Sequence, residues 1–216
     1  MSKFRRQLMA ASILEPIPPR PYDELLQSLT IVNGQTPAII TDYYPNQDSK
    51  FVFSCKITER PSTSANKCIY GTFTYNNNTL YRRADCQFRN ALQIQTKYGN
   101  GVTAQVTVSY AVNTIYELEI GNNYIKINGS TTTGTRQGDF TADYPLVLFS
   151  NCNNGVPSII STPAGGFVGV IYGSFDIYEG TILMRSYHPA KKNERVGLWE
   201  SVTNQMLFSS YGEFSE

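Results

Sequence analysis

The chain has 216 residues, 41% hydrophobic and 16% charged, with Lys+Arg 18 against Asp+Glu 17 for a formal charge of +1. That apolar share is enough to close a core, the charge is too low for a disordered chain, and the balance of signs leaves no basic footprint for nucleic acid. The length fits one all-β domain, alone or with an arm, and no run approaches the ~18 apolar residues of a membrane helix.

The chain opens MSKFRRQLMAASIL. Its apolar run is at the lower limit for a signal peptide and no small-residue cleavage site precedes Pro16, so this end is expected to be retained in a soluble protein, with secretion the alternative. Phe4, Leu8, Met9 and Ile13 share one face of a short helix, with Arg5 and Arg6 beside it. Pro16 to Pro21 (PIPPRP) then stops any helix and favours a stiff, extended linker. The expected organisation is an anchoring arm over 1–21 and one domain over 22–216. Phe4, Leu8 and Met9 would fill apolar grooves on a partner, and Arg5 and Arg6 would meet its acidic groups. A frayed terminus is the alternative.

Across the whole chain, Tyr 15, Phe 11 and Gly 16 favour strands and turns over helices. A short strand falls near Ala38–Thr41. Phe51, Phe53, Cys55 and Ile57 alternate within a strand over Lys50–Ile57, which buries one face. Cys68–Tyr75 and Leu92–Lys97 are further strands, and NNNTLYRRADCQ between them reads as loop. Val102, Ala104, Val106 and Val108 alternate with polar residues, as do Tyr116, Leu118 and Ile120 with Glu117 and Glu119. Gly121–Asn123 turns into Tyr124–Ile127, Asn128–Gly129 is a second turn, and STTTGTRQGD reads as a polar loop. From Phe140 to Phe214 every apolar run is short and bounded by Gly, Asn or Pro. Val196 and Leu198, with Trp199 beside them, are expected to return against the core. About a dozen strands and no long helix predict an all-β, two-sheet antiparallel jelly-roll sandwich.

Three stretches carry a family resemblance: YDELLQSL with ITDYYPNQDSKFVFSCK, then YELEIGNNYIKINGS, and the closing GSFDIYEGTILMRSYHPAKKNERVGLWES. From about Tyr22 to Phe214 the chain resembles the concanavalin-like (laminin-G-like) jelly-roll domains of gut bacteria and their tailed phages. The opening MSKFRRQLMAA is similar to the N-termini of virion proteins in crAss-like phages. The resemblance implies a non-enzymatic virion structural protein, a capsid decoration, head fibre or tail component. Its partners would be other virion proteins and a host or mucus polysaccharide, and its state a symmetric homo-oligomer, a trimer being expected. It also implies a virion location, with a secreted or bacterial surface lectin as the alternative. The chain departs from the family at Ser186, His188 and Trp199, and Arg82 and Arg83 lie out of its pattern.

Glu117 and Glu119 stand two apart on one strand and share a face, the spacing of a glycosidase pair. Ile120, Gly121 and Asn122 follow where a third acid is needed, so a solvated polar face is the preferred reading and no catalytic residue is expected. His188 is the one histidine, expected as a half-buried turn residue before Pro189. The glycines of Ala164–Gly169 lack the Lys of a phosphate loop. No cofactor or metal is expected; calcium is the candidate, with Asp139, Asp143, Asn151, Asn153 and Asn154 as oxygen donors. Cys55, Cys68, Cys86 and Cys152 form no CxxC pair and are expected as free thiols. Sugar binding needs aromatic faces beside hydrogen-bonding groups, and Tyr75, Tyr81, Arg83, Tyr98, Asn153, Asn154 and Tyr172 are the candidates for it.

Overall fold

The computed structural model describes residues 19–31, 37–61, 66–76, 79–99, 104–135, 138–157 and 166–216. Phe4, Arg5, Arg6, Leu8 and Met9, the docking candidates of the arm, lie outside the described residues. Among the described residues there is no helix, and the strands form two sheets.

The larger sheet runs in the order β11 (Ser130–Thr133), β10 (Tyr124–Ile127), β9 (Ile115–Gly121), β4 (Ser49–Ile57), β15 (Gly169–Glu179), β16 (Ile182–Lys192), β17 (Arg195–Glu200) and β18 (Gln205–Leu207). To it are added β1 (Glu24–Leu25) beside β16 and β2 (Ser28–Ile31) beside β15. The smaller sheet runs β14 (Val156–Pro157), β13 (Cys152–Asn153), β5 (Lys67–Asn76), β6 (Thr79–Arg89), β7 (Gln93–Gly99) and β8 (Ala104–Ser109). Here β12 (Val147–Leu148) bridges β5 and β3 (Ile39–Ile40). Among the described residues the named strands pair antiparallel except β13 with β5, and an isolated parallel bridge joins Cys68 to Gly166.

The alternation in β4 sets the core. Phe51, Phe53, Cys55 and Ile57 are buried, and Val52, Ser54 and Lys56 between them are half-buried on the other face. Phe51 stacks on Tyr70 of the smaller sheet, ring centroids 4.2 Å apart, and Phe175 lies over Phe53 at 4.8 Å. Tyr70 also meets Phe175 edge-on at 5.9 Å, and its hydroxyl is 3.2 Å from that of Tyr98. Each buried ring contributes about 1.5–3 kcal/mol through lost apolar exposure, with somewhat more from the ring pairing.

β15 is shared by two partners on one edge. Gly169 to Tyr172 pair with β2, whereas Phe175 to Glu179 pair with β16. The register against β4 slips at the changeover, where Gly173 adopts φ 63° and donates its N–H to the Gln27 carbonyl. A bulge of this kind re-aims the side chains beside it. At the start of the strand, a Cβ on Gly169 would strike the Lys56 carbonyl, so only glycine allows β15 to approach β4 there.

Two loops expected from the sequence are strands. β6 spans most of NNNTLYRRADCQ: Ala84, Cys86 and Phe88 are buried, and so are the alternating Arg83, Asp85 and Gln87. These polar groups partner one another at one Asp85 oxygen, Arg83 pairing with Oδ2 and the Gln87 amide donating to it at 3.4 Å, while Oδ1 has no hydrogen-bond partner. Polarity here does not mean exposure. Ser130–Thr133 of the expected STTTGTRQGD loop forms edge strand β11, because Asn128 (φ 47°) and Gly129 (φ 84°) make the left-handed two-residue turn that suits a hairpin. All four cysteines are free and buried, and burial pushes each thiol up, which makes them poor nucleophiles.

Phe175→Ala should cost about 3–5 kcal/mol, read as a lowered urea midpoint at unchanged slope. Arg83→Ala, which takes the guanidinium partner from buried Asp85, should cost a similar amount, about 3–5 kcal/mol. A loss under about 1 kcal/mol for Phe175→Ala would mean that the sheets are not pinned at this stack.

Candidate functional site

The strand order β9–β4–β15–β16 and its register place outward side chains in rows. Lys126 stands opposite Glu119, Glu119 opposite Val52, Val52 opposite Asp176, and Asp176 opposite Ser186. In the next row Glu117 faces Ser54 and Ser54 faces Tyr172. The bulge at Gly173 brings Ser174 between the rows. All of these but Ser186, which stands just beyond Asp176, line a cleft of about 310 Å³ on the outer face of the larger sheet.

Its polar groups are held in place. Asp176 accepts hydrogen bonds from the hydroxyls of Ser174 (3.0 Å) and Ser186 (2.6 Å). Ser186 Oγ is also 2.9 Å from His188 Nε2. A serine has one hydroxyl proton, and the Asp176 carboxylate takes it, so His188 Nε2 carries the proton that reaches back to Ser186. The His188 ring lies 5.4 Å from Trp199, Tyr22 lies 4.8 Å from Trp199 on the same sheet face, and the indole N–H donates to Asn204 at 3.2 Å. At the other side of the cleft the Tyr124 hydroxyl donates to Glu119 Oε1 at 2.8 Å, and Lys126 Nζ is 3.4 Å from Oε2. The Tyr124 hydrogen bond, with Lys126 behind it, holds the Glu119 carboxyl below its ordinary value and outweighs partial burial. The side chain of Asn128 accepts from the Glu117 backbone N–H at 2.9 Å, which ties the Asn128–Gly129 turn to the cleft wall.

The sugar-site candidates divide in three. Tyr172 lines the cleft. Tyr75, Tyr81, Asn153 and Asn154 gather at the end of the smaller sheet, where Tyr75 and Tyr81 are exposed. There Asn154 is spent on the Tyr75 backbone, accepting from its N–H at 2.8 Å and donating to its carbonyl at 3.1 Å. Arg83 and Tyr98 are corrections: Arg83 is buried against Asp85, and Tyr98 is 0% exposed in the core, so neither reaches a ligand at the surface. Of the calcium candidates, Asp143 is taken by Arg82 and by the Thr74 hydroxyl, and Asn151 accepts from the Cys152 N–H. Among the described residues no three His, Cys, Asp or Glu side chains are grouped to hold a metal. Reasoning from sequence missed Ser174, Asp176, Ser186 and the outward turn of Trp199. The signal is strand parity: in GSFD and RSYH a buried ring alternates with the polar residues that share the other face.

The architecture is a jelly-roll sandwich of the concanavalin and laminin G type. A structure of the mouse laminin alpha1 chain, domains LG4-5, superposes with a TM-score of 0.54 at 9% identity, covering 89% of this chain and 48% of that one. The chain thus spans about half of that laminin structure. The Ruminococcus gnavus IT-sialidase CBM40 bound to alpha2,3 sialyllactose aligns at 13% identity and TM-score 0.49, over 73% of this chain and 92% of that one. A heptameric SAP-like pentraxin from Limulus polyphemus aligns at 8% identity and TM-score 0.46, over 72% and 76%. No protein-family model and no curated protein matches the sequence.

Because the folded Glu119 carboxyl sits below its ordinary 4.5, its contribution to stability is present above that value and is lost as pH falls through the folded one. Glu119→Gln should therefore melt below wild type at pH 7, and the gap should narrow as the pH falls below 4.5 and on through the lower folded value. A gap that stays constant with pH would show that the Tyr124 and Lys126 contacts do not act on an ionised Glu119.

Proposed function

We propose that the chain is a non-enzymatic, lectin-like module that holds a glycan in the cleft of the larger sheet. One observation carries this: a half-buried Tyr172 stands in the same cleft as Ser174, Asp176, Glu117 and Glu119. Sugar binding needs an apolar ring face beside fixed acceptors for hydroxyl protons, on rigid elements. A volume of about 310 Å³ suits one or two pyranose rings.

The hydrogen bonds favour binding over catalysis. The Ser186 proton points to Asp176, so His188 does not accept it, as a base activating a nucleophile would. Both Glu119 oxygens are engaged and its carboxyl is held down, whereas a glycosidase acid needs a raised one. No cofactor or metal enters this reading.

The module is proposed to sit on a virion, docked through Phe4, Arg5, Arg6, Leu8 and Met9, with a symmetric trimer as its state. The amphipathic opening, the proline-rich linker and the resemblance to phage jelly rolls support this. A secreted or bacterial surface lectin is the alternative, and a cleaved N-terminus in the mature protein would favour it.

Glycan-array and calorimetric binding should be lost by at least about tenfold in Tyr172→Ala and in Asp176→Asn at unchanged melting temperature. Binding indifferent to both, or glycan cleavage by wild type that Glu119→Gln abolishes, would overturn the reading. For the virion role, a chain lacking residues 1–21 should fold yet be missing from purified particles; normal incorporation would remove that part.

A further inference from the structure

We propose that the glycan site continues past the cleft along the sheet to Trp199, so that the ligand is a chain of sugars lying across the strands. This rests on the reading of the cleft as a glycan site and goes beyond it in assigning a second subsite and a ligand length.

The register places the second subsite. His188 pairs with Trp199, and Tyr187 pairs with Phe175, so His188 falls beside Ser174 on the outer face and Trp199 one strand further on. From Ser174 to Trp199 is two strand spacings, roughly 10 Å, the reach of a disaccharide. From Glu117 on β9 to Trp199 on β17 is four spacings, roughly 19 Å, the reach of a tetrasaccharide. The path between them is polar and built: Asp176, Ser186 and His188 form one hydrogen-bonded line from the cleft to the indole.

The aromatic end is fixed as well. Trp199 and Tyr22 are both half-buried, their rings meet at a 52° tilt, and the indole N–H is anchored on Asn204. Two rings tilted at this angle leave an angled wall rather than a closed stack, and a pyranose face packs against such a wall. Trp199 is not needed to fill the core, since Leu198 beside it is the side chain 1% exposed on the inner face.

Trp199 is the one tryptophan of the chain, so its emission reports on this subsite alone. The probes are ladders of neutral glucose, mannose and galactose oligosaccharides from one to six residues, titrated into the full chain. For at least one ladder, affinity should climb at least about tenfold between the mono- and the tetrasaccharide, with Trp199 emission shifting only from the trisaccharide upward. Trp199→Ala and Tyr22→Ala should each weaken the tetrasaccharide about tenfold and leave the monosaccharide unchanged. The wild-type emission needs no variant to fold. Binding that is abolished by Tyr172→Ala but never moves Trp199 emission keeps the cleft and overturns the subsite. Emission shifts that ignore Tyr172→Ala would instead remove the cleft as the anchor. Silence of all ladders in the emission overturns the inference.

Discussion

The parity of β4 and β15 is the constraint on which this molecule depends. Their odd-numbered rings, Phe51, Phe53 and Phe175, reach Tyr70 and hold the two sheets together. Because side chains alternate across a strand, that choice forces Val52, Ser54 and Asp176 to the opposite face. Core and cleft are thus two consequences of one register. A slip by one residue in β15 would carry Asp176 into the stack and Phe175 into water, losing both at once.

The cleft also needs the defect in β15. A strand paired along its whole length with one neighbour would present a flat outer face. Here β2 gives way to β16 partway along, and Gly173 absorbs the mismatch in a left-handed backbone. That bulge sets Ser174 beside Asp176 and opens the space lined by Tyr172. The smaller sheet has a buried polar row instead, Arg83, Asp85, Gln87 and Gln95, which presents little to solvent. Among the described residues the two outer faces therefore differ in kind, and the larger sheet combines a recess with fixed acceptors.

Much of this was legible in the sequence where apolar residues alternate. Phe51 to Ile57, Tyr116 to Ile120 and the closing runs all gave their strands directly. The polar half of the pattern was harder to read. Arg83, Asp85 and Gln87 look like loop residues until their pairing with one another offsets part of the penalty for burial. The aromatic residues show the same limit. Tyr98 reads as a surface candidate from its type alone, yet it shares a strand face with Ile94 and Thr96, both buried. Trp199 was expected against the core, but alternation with Leu198 turns it outward. Long-range register decides which side of a strand meets solvent, and a local window does not contain it.

How tightly such a site binds follows from the same hydrogen bonds. Asp176 already holds two serine hydroxyls, and Glu119 holds Tyr124 and Lys126. An incoming sugar meets acceptors whose positions are set but whose lone pairs are partly used, so each new bond replaces one to water with little net gain. Rigid strands lower the ordering cost, which favours selectivity by shape over high affinity at a single site. On the proposed reading, strength comes from repetition: many copies on one particle turn a weak contact into firm attachment. In that reading the number of copies supplies the strength and the sheet supplies the selectivity.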